Sequence, residues 1–582
     1  MFKKLSKLYH TVKYLKPIQI VGRLQLFIPR RISEQKSHPE FRSVTLPSIF
    51  CKKPASTSDF NEFTFLSESH RLSDIGWETE QISKLWSYNL QYFDYIHNRL
   101  DWNESEKKKI RELMQQWVDE NPFGKGTGWE PYPTSLRIVN WVKWHLSAEP
   151  LSQEASLSLW NQLRWLADRP EVHLLGNHIF ANAKAMIIGS ALFEGEESKK
   201  IRNQGFKILK DQLDEQFLED GGHFERSPMY HALAMEDLLD LYILSENFST
   251  GFPKTEIKEK IKKGILWLSL MSYENEEFPH FNDCTNGIAP TLRQLQKIAK
   301  SAGIQSAPPE NEEDMNRLKE DEMKLMKAEH SSGLKERDVN LLKGEGVTLL
   351  KESGFVIAQL ERSKLIADVG DIGPTYQPGH AHAETLSFEL SVNGHRVLVN
   401  SGTSLYGTSA ERLRQRCTSA HSTVEIDGQN SSEVWSGFRV AERAKVQHVQ
   451  IDNPDSVAPI VISASHDGYQ RLPGKNTHRR TWKLDANSLT IHDQISGKFS
   501  KAVSRLYIHP DFACHSNENG TIFHHEIAGT VSLIARSGKK EIPIVMKEST
   551  YHPAFGVSLK NSCVEIIVTD TQEVSIELNW SV

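Results

Sequence analysis

Cysteine is scarce in this chain: five in 582 residues, at positions 51, 284, 417, 514 and 563, with none spaced as a CxxC pair. That excludes a zinc-ribbon pattern and argues against a disulfide framework. Long apolar runs are missing too. No stretch approaches the roughly 18 uninterrupted apolar residues of a spanning helix. The N-terminal MFKKLSKLYHTVKYLKPIQIVGRLQLFIPRR is interrupted by polar residues before any run reaches signal-peptide length. The expectation is therefore no secretion signal, no transmembrane segment and a cytoplasmic location, with the periplasm or another export route as alternatives. Charge of one sign is also lacking. With 69 Lys and Arg against 75 Asp and Glu the net charge is −6. No basic stripe or nucleic-acid module accompanies it, which excludes nucleic acid as the expected partner.

What is present is the composition of a globular protein, 38% hydrophobic and 25% charged, on a chain too long for one core. Residues 1–74 read as a basic arm and extended lead-in; packing of the arm on the body is favoured over peripheral association with anionic lipid. Over 75–307 apolar residues recur at helical spacing, as in ISKLWSYNLQYFDYI, SLRIVNWVKWHL and ALAMEDLLDLYIL, separated by short breakers such as EDGGHFERSP. This predicts antiparallel helical hairpins around a common axis. Residues 308–345 are strongly charged and poor in aromatics, and read as a linker. From 346 to 582 the pattern turns to short β-rich runs bounded by Gly, Asn, Asp and Pro, with VNGHR as a hairpin signal. The fold class is thus multidomain, α then β.

Four clusters concentrate His, Asn, Tyr and acidic side chains at element ends, where function usually sits. In LLGNHIFANAKA, Asn177 and His178 stand at a predicted helix start, suited to meet a carboxylate or, more blandly, to cap the helix. In EDGGHFERSPMYHAL, Pro228 opens a helix whose first turn holds Tyr230 and His231, with Glu225 and Arg226 as candidate substrate-binding residues. Tyr230 is a general acid or base only where nearby positive charge, Arg226 among it, lowers its pKa. QPGHAHAETLSFEL places His380 and His382 on one face of an approaching strand, a spacing that suits a metal ligand beside a catalytic partner. LVNSGTSLYG and RQRCTSAHSTVEIDGQ add Asn400, Tyr406, Arg416 and His421. His382, Asn400 and His421 together make a ligand set for which a structural zinc is the first choice.

At these clusters the chain resembles the heparinase II/III family, including members associated with bacterial surface-polysaccharide loci. The resemblance runs in order from WSYNLQYFDYI through GWEPYPTSLRIVNW, GNHIFANAKA, DGGHFERSPMYH and FPHFNDCTNG to GHAHAETLSFEL, NSGTSLY, AHSTVEIDGQ and VWSGFRVAERA. It implies an N-terminal incomplete (α/α) toroid followed by a C-terminal antiparallel β-sandwich, with an anionic uronate-containing polysaccharide in the cleft between them. It also implies a lyase that cleaves by β-elimination. On motif position, Asn177 helped by His178 neutralises the uronate carboxylate, Tyr230 exchanges protons, and His380 is the second catalytic group. His382 and His421 become zinc ligands, while Tyr406 and Arg416 face substrate. Two departures stand out. VNSGT puts neutral Asn400 where the family has an Asp, which weakens the expected zinc site, and Glu384 stands where Asp is common after GHAH. Two rival readings remain: a non-catalytic glycan-binding or assembly protein on the same fold, and a glycoside hydrolase. The latter needs two carboxylates flanking the bond, and Glu225 is the only attractive acid in the clusters. The oligomeric state is open.

Overall fold

The computed structural model describes residues 2–28, 32–44, 50–99, 101–248, 251–304, 346–452, 458–517, 520–569 and 571–581. The 308–345 segment read as a linker lies outside them.

The helical half opens with a small hairpin, Glu62–Phe65 and Glu68–Arg71, and continues through Lys84–Tyr92, Glu104–Glu120, Pro131–Ser147, Gln153–Asp168, Gly176–Ala191, Glu196–Gln216, Pro228–Leu244, Lys254–Met271 and Leu292–Ser301. Local chemistry sets several of these starts. Asn103 and Glu106 form a capping box, as do Thr291 and Gln294. Pro131 and Pro228 occupy the first helical position, where the missing N–H costs nothing. The hairpins close on an aromatic core in which Trp86, Trp117, Trp141, Trp144, Trp160 and Trp267 are all buried. Together they form the toroid.

Beyond residue 346 two nine-stranded antiparallel sheets stack as a sandwich. One runs from Val446–Asp452 through Ile460–His466, Thr477–Asp485, Ser488–Ser496, Glu573–Ser581, Gly529–Ser537 and Gly520–His525 to Ala513–Asn517. The other runs from Ile544–Tyr551 through Leu559–Val568, Ala502–Ile508, His395–Val399, Phe388–Val392, Ser363–Asp368 and Phe355–Leu360 to Gly346–Leu350. In the first sheet Thr477–Asp485 and Ser488–Ser496 alternate buried and less buried residues, the period of a half-covered strand. In the second, every residue of Phe388–Val392 is buried, because the helical half covers the face that would otherwise meet solvent. The predicted VNGHR turn joins this strand to His395–Val399, with Asn393 at φ 52° and Gly394 at φ 76°. Those two positive angles are what an Asn-Gly turn supplies at little cost.

Trp482 sits wholly buried between the sheets, in a cluster with Leu484, Leu489 and Ile491. Replacing it by alanine should destabilise the protein by about 3–5 kcal/mol, read as a shifted denaturant midpoint.

Polar contacts knit the halves together. Trp267 Nε1 donates to Ser353 Oγ (2.9 Å), and Asp220 accepts from the Ser353 N–H (2.7 Å). Buried Glu389 accepts from the Tyr273 hydroxyl (3.0 Å), the His280 N–H (2.8 Å) and Arg396 (2.8 Å). The loop between Met271 and Leu292 supplies several of these groups, and with them the base of the candidate site.

Candidate active site between the two halves

On the helical side the site begins with Leu175 and Gly176, at φ 64° and 59°, which turn the chain into the helix Gly176–Ala191. A Cβ at Gly176 would meet Glu225 Oε1 and Gln377 Nε2 at 3.1 Å, so glycine lets this turn approach the site floor. Leu175, not Asn177, is the N-cap, and no side chain caps this helix. Asn177 therefore lies inside the first turn, its buried Oδ1 without a partner. The capping role that would explain it away is absent. His178 Nδ1 meets Glu171 Oε1 at 3.1 Å and its ring packs on Tyr132. Burial disfavours its protonation, but the charge and hydrogen bond of Glu171, together with the charge of Glu225, raise the His178 pKa. Glu225 is buried, with neither carboxyl oxygen bonded to a side chain, and burial raises its pKa toward the protonated form.

Tyr230 enters from Pro228–Leu244, whose N-cap Ser227 accepts from the Tyr230 N–H. Its hydroxyl lies 2.9 Å from that of Tyr406, and its ring centroid is 4.0 Å from that of His380. Helical and β halves thus bring Tyr230, His380 and Tyr406 into one cluster. The expected lowering of the Tyr230 pKa by Arg226 does not occur. Arg226, itself at φ 58°, turns its guanidinium to the carbonyls of Asp371 and Glu352 and clamps the halves together instead of facing substrate. Burial, then Tyr406 and Asp283, hold the Tyr230 phenol well above its ordinary value.

The organising residue is Asp283, fully buried in the Met271–Leu292 loop. Its carboxylate accepts from Nη1 and Nη2 of Arg412, from His380 Nδ1 (2.9 Å) and from His382 Nε2 (2.8 Å). Burial alone would raise its pKa, but Arg412 and the two imidazole hydrogen bonds hold it well below the usual carboxylate range. An ionised Asp283 fixes the His380 tautomer with the proton on Nδ1, leaving Nε2 with its lone pair. Asp283 lies in the HFNDC loop, whose local sequence carries no signal of this role. His380 and His382 are not on a strand, which starts only at Phe388; they share one face because both reach the same carboxylate.

Arg416, expected to face substrate, is fully buried and spends its guanidinium on the carbonyls of Ala381 (2.9 Å) and Ser436 (3.3 Å). Burial, then the charge of Arg412, lowers its pKa to about 9. One turn earlier in the helix Ala410–Arg416, Arg412 is the arginine that reaches the site, 4.9 Å from the Tyr406 ring centroid.

Behind His380 lies a second group. His382 Nδ1 and His421 Nε2 face each other at 3.1 Å, and Glu384 Oε2 stands 3.3 Å from the same His421 nitrogen. All three side chains are buried, with ligand-type atoms within 4.8 Å of one another. Asn400 behaves differently: its Oδ1 accepts from the Ser422 N–H (3.1 Å) and its Nδ2 points to Ser387 Oγ (3.4 Å). The amide bonds the adjoining backbone, and the carboxylate beside the two imidazoles is that of Glu384.

Two family descriptions match, heparinase II/III N-terminus over residues 73–302 and heparinase II/III-like, C-terminal, over 343–581. A heparin-sulfate lyase of Bacteroides stercoris is 25% identical over 362 residues, covering 58% of this chain and 47% of that protein. One from Pedobacter heparinus is 23% identical, covering 56% and 49%. The chain spans about half the length of these curated relatives. Among solved structures, a heparinase III superposes with a TM-score of 0.66 at 16% identity over 97% of this chain and 85% of that one. The heparinase III BT4657 gene product gives 0.59 at 18% over 88% and 81%. These structural likenesses establish the toroid-plus-sandwich fold, and the matches over both halves establish that the chain belongs to the heparinase II/III family.

Proposed function

We propose that this protein is a polysaccharide lyase that cleaves a uronate-containing glycan by β-elimination in the groove where Tyr230, His380 and Tyr406 meet. The observation that carries this reading is the Tyr230–Tyr406 hydroxyl contact of 2.9 Å beside a His380 whose tautomer Asp283 fixes. The proton on C5 of a uronate is too weakly acidic to be removed while the neighbouring carboxylate keeps its full charge. Asn177, His178 and the buried Glu225, whose pKa burial raises, form the end of the site suited to that carboxylate, and hydrogen bonds from Asn177 and His178 strengthen as enolate charge develops. His380 Nε2 is placed to take the C5 proton. Tyr230, kept as a neutral phenol by burial, is placed to protonate the departing C4 oxygen, with Tyr406 sharing its proton.

The curated relatives are named heparin-sulfate lyases, so a sulfated uronate polymer is the first substrate to test. Hydrolysis is the poorer reading, since Asp283 is consumed by Arg412 and two histidines and Glu171 by His178, which leaves Glu225 without a second carboxylate. Turnover in oxygen-labelled water separates the two: elimination leaves the products unlabelled and unsaturated, whereas label at the new reducing end would replace this reading with hydrolysis.

The group behind His380 fits a structural zinc. His421 Nδ1 donates to the Cys417 carbonyl (2.8 Å) and His382 Nε2 to Asp283, so the two nitrogens that face each other both carry lone pairs, next to a carboxylate oxygen that lacks a hydrogen-bond donor. A cation satisfies all three. His382, Glu384 and His421 would hold it, with Glu384 supplying the negative charge that Asn400 lacks. Bound there, zinc would supply charge that fixes the loop carrying His380. Glu384→Gln should weaken zinc binding more than about tenfold by calorimetry, whereas Asn400→Ala should weaken it far less. The reverse order would assign the third ligand to Asn400.

A further inference from the structure

The first two helices, Phe2–Val12 and Pro17–Gln25, are packed inside out. Their polar residues hold them to the body. Thr11 Oγ1 accepts from Trp435 Nε1 (3.1 Å), Lys16 pairs with Glu215, and buried Gln19 donates to the Leu174 carbonyl (3.3 Å). At Gly22 a Cβ would come within 2.9 Å of the His173 backbone. Their apolar residues point the other way. Leu5, Leu8, Tyr9 and Val12 follow helical i, i+3, i+4, i+7 spacing and are 56%, 46%, 66% and 43% exposed. Ile18, Val21 and Leu24 continue the pattern at 46%, 46% and 62%, and Phe27, just past the second helix, reaches 85%. An amphipathic helix in a globular protein normally buries this stripe, and a cluster of such residues left outside marks an interaction surface.

Charge identifies the partner. Residues 1–33 contain eight Lys and Arg and no Asp or Glu, whereas the whole chain carries −6, so the remainder carries −14 (−6 minus +8). A positive apolar arm on a negative body is poorly suited to self-pairing, because two copies would oppose their basic segments. An anionic lipid surface satisfies both features: apolar side chains enter the acyl boundary while exposed Lys4 and Lys13 reach the headgroups. We propose that residues 2–28 are a peripheral membrane anchor that seats the protein on an anionic bilayer surface through the outward stripe of Leu5, Leu8, Tyr9, Val12, Val21 and Leu24. The anchor also adjoins the site. Gly22 rests on His173, and the segment from there runs through Leu175 and Gly176 to Asn177, so a seated arm would hold the groove at a fixed orientation to the surface.

The test is sedimentation of the full chain with phosphatidylcholine vesicles, with and without phosphatidylglycerol, at low and at high salt. The expected result is partitioning at least about tenfold stronger onto the anionic vesicles, weakened by salt. Leu8→Asp combined with Leu24→Asp should abolish it, at exposed positions that leave the fold and its thermal midpoint unchanged. Lys4→Glu with Lys13→Glu should lower it several-fold. No binding to anionic vesicles, or equal binding to both lipids, overturns the proposal. So does a lipid-free dimer by light scattering that the Leu8 and Leu24 changes dissolve, which would give the stripe to a second copy.

Discussion

His380→Ala should lower turnover of a uronate polymer by about 10²–10⁴-fold, the range lost when a positioned acid or base is removed, with substrate binding changed far less. His380 sits over the Tyr230 ring with only Nδ1 committed, and that commitment to Asp283 is what leaves Nε2 as the acceptor. Tyr230→Phe should cost a similar factor for the complementary reason. It keeps the ring against His380 and removes the one hydroxyl that meets Tyr406. Both variants should keep the wild-type thermal midpoint within a degree or two. A loss of activity accompanied by unfolding would point to packing and not to proton transfer. Tyr230→Phe with unchanged turnover would take the tyrosine out of the mechanism altogether.

Asp283→Ala carries the largest expected stability effect. It leaves the fully buried Arg412 guanidinium without its anion, a loss of about 3–5 kcal/mol when one partner of a buried pair is removed. His380 and His382 lose their shared acceptor in the same step. The sign of the pH dependence follows. The folded pKa of Asp283 is depressed, so its contribution is present above the unfolded carboxylate value, about 3.9, and is lost as pH falls through the lower folded value. Asp283→Asn removes that dependence. Denaturant midpoints of wild type and Asp283→Asn should therefore differ most near neutral pH and converge in strong acid. A difference that stays constant with pH would show that the carboxylate charge is not what stabilises the junction.

Much of this architecture could be read from local pattern. Helical spacing before residue 305 and β-rich runs after 346 show an α half followed by a β half, because both periods follow from which face each element buries, while the toroid and the sandwich are what the family resemblance implies. Pro228 announces the helix that carries Tyr230, and Asn393-Gly394 announces the hairpin between Phe388–Val392 and His395–Val399. The site itself was legible only in part. Asp283 acts on His380, His382 and Arg412 from 97 to 129 residues away, and nothing in the local sequence pairs them. Arg412 and Arg416 are one helical turn apart and chemically identical, so only the fold decides which faces the site and which binds backbone carbonyls. Glu384 was seen as a departure from the family's Asp without its contact to His421, because that contact depends on loops converging from different elements. The outward direction of the apolar stripe on the N-terminal arm depends on the contacts of Thr11, Lys16 and Gln19 with the body, which no local pattern reveals.

The most direct test of the account is the ultraviolet absorbance of the C4–C5 double bond while the purified protein acts on a panel of sulfated and unsulfated uronate polymers. The account predicts that absorbance grows with at least one polymer for the wild type, and stays flat for His380→Ala and Tyr230→Phe. Tight binding of a uronate polymer with no unsaturated product at any pH would contradict it, and would make this cleft a binding site on a lyase fold.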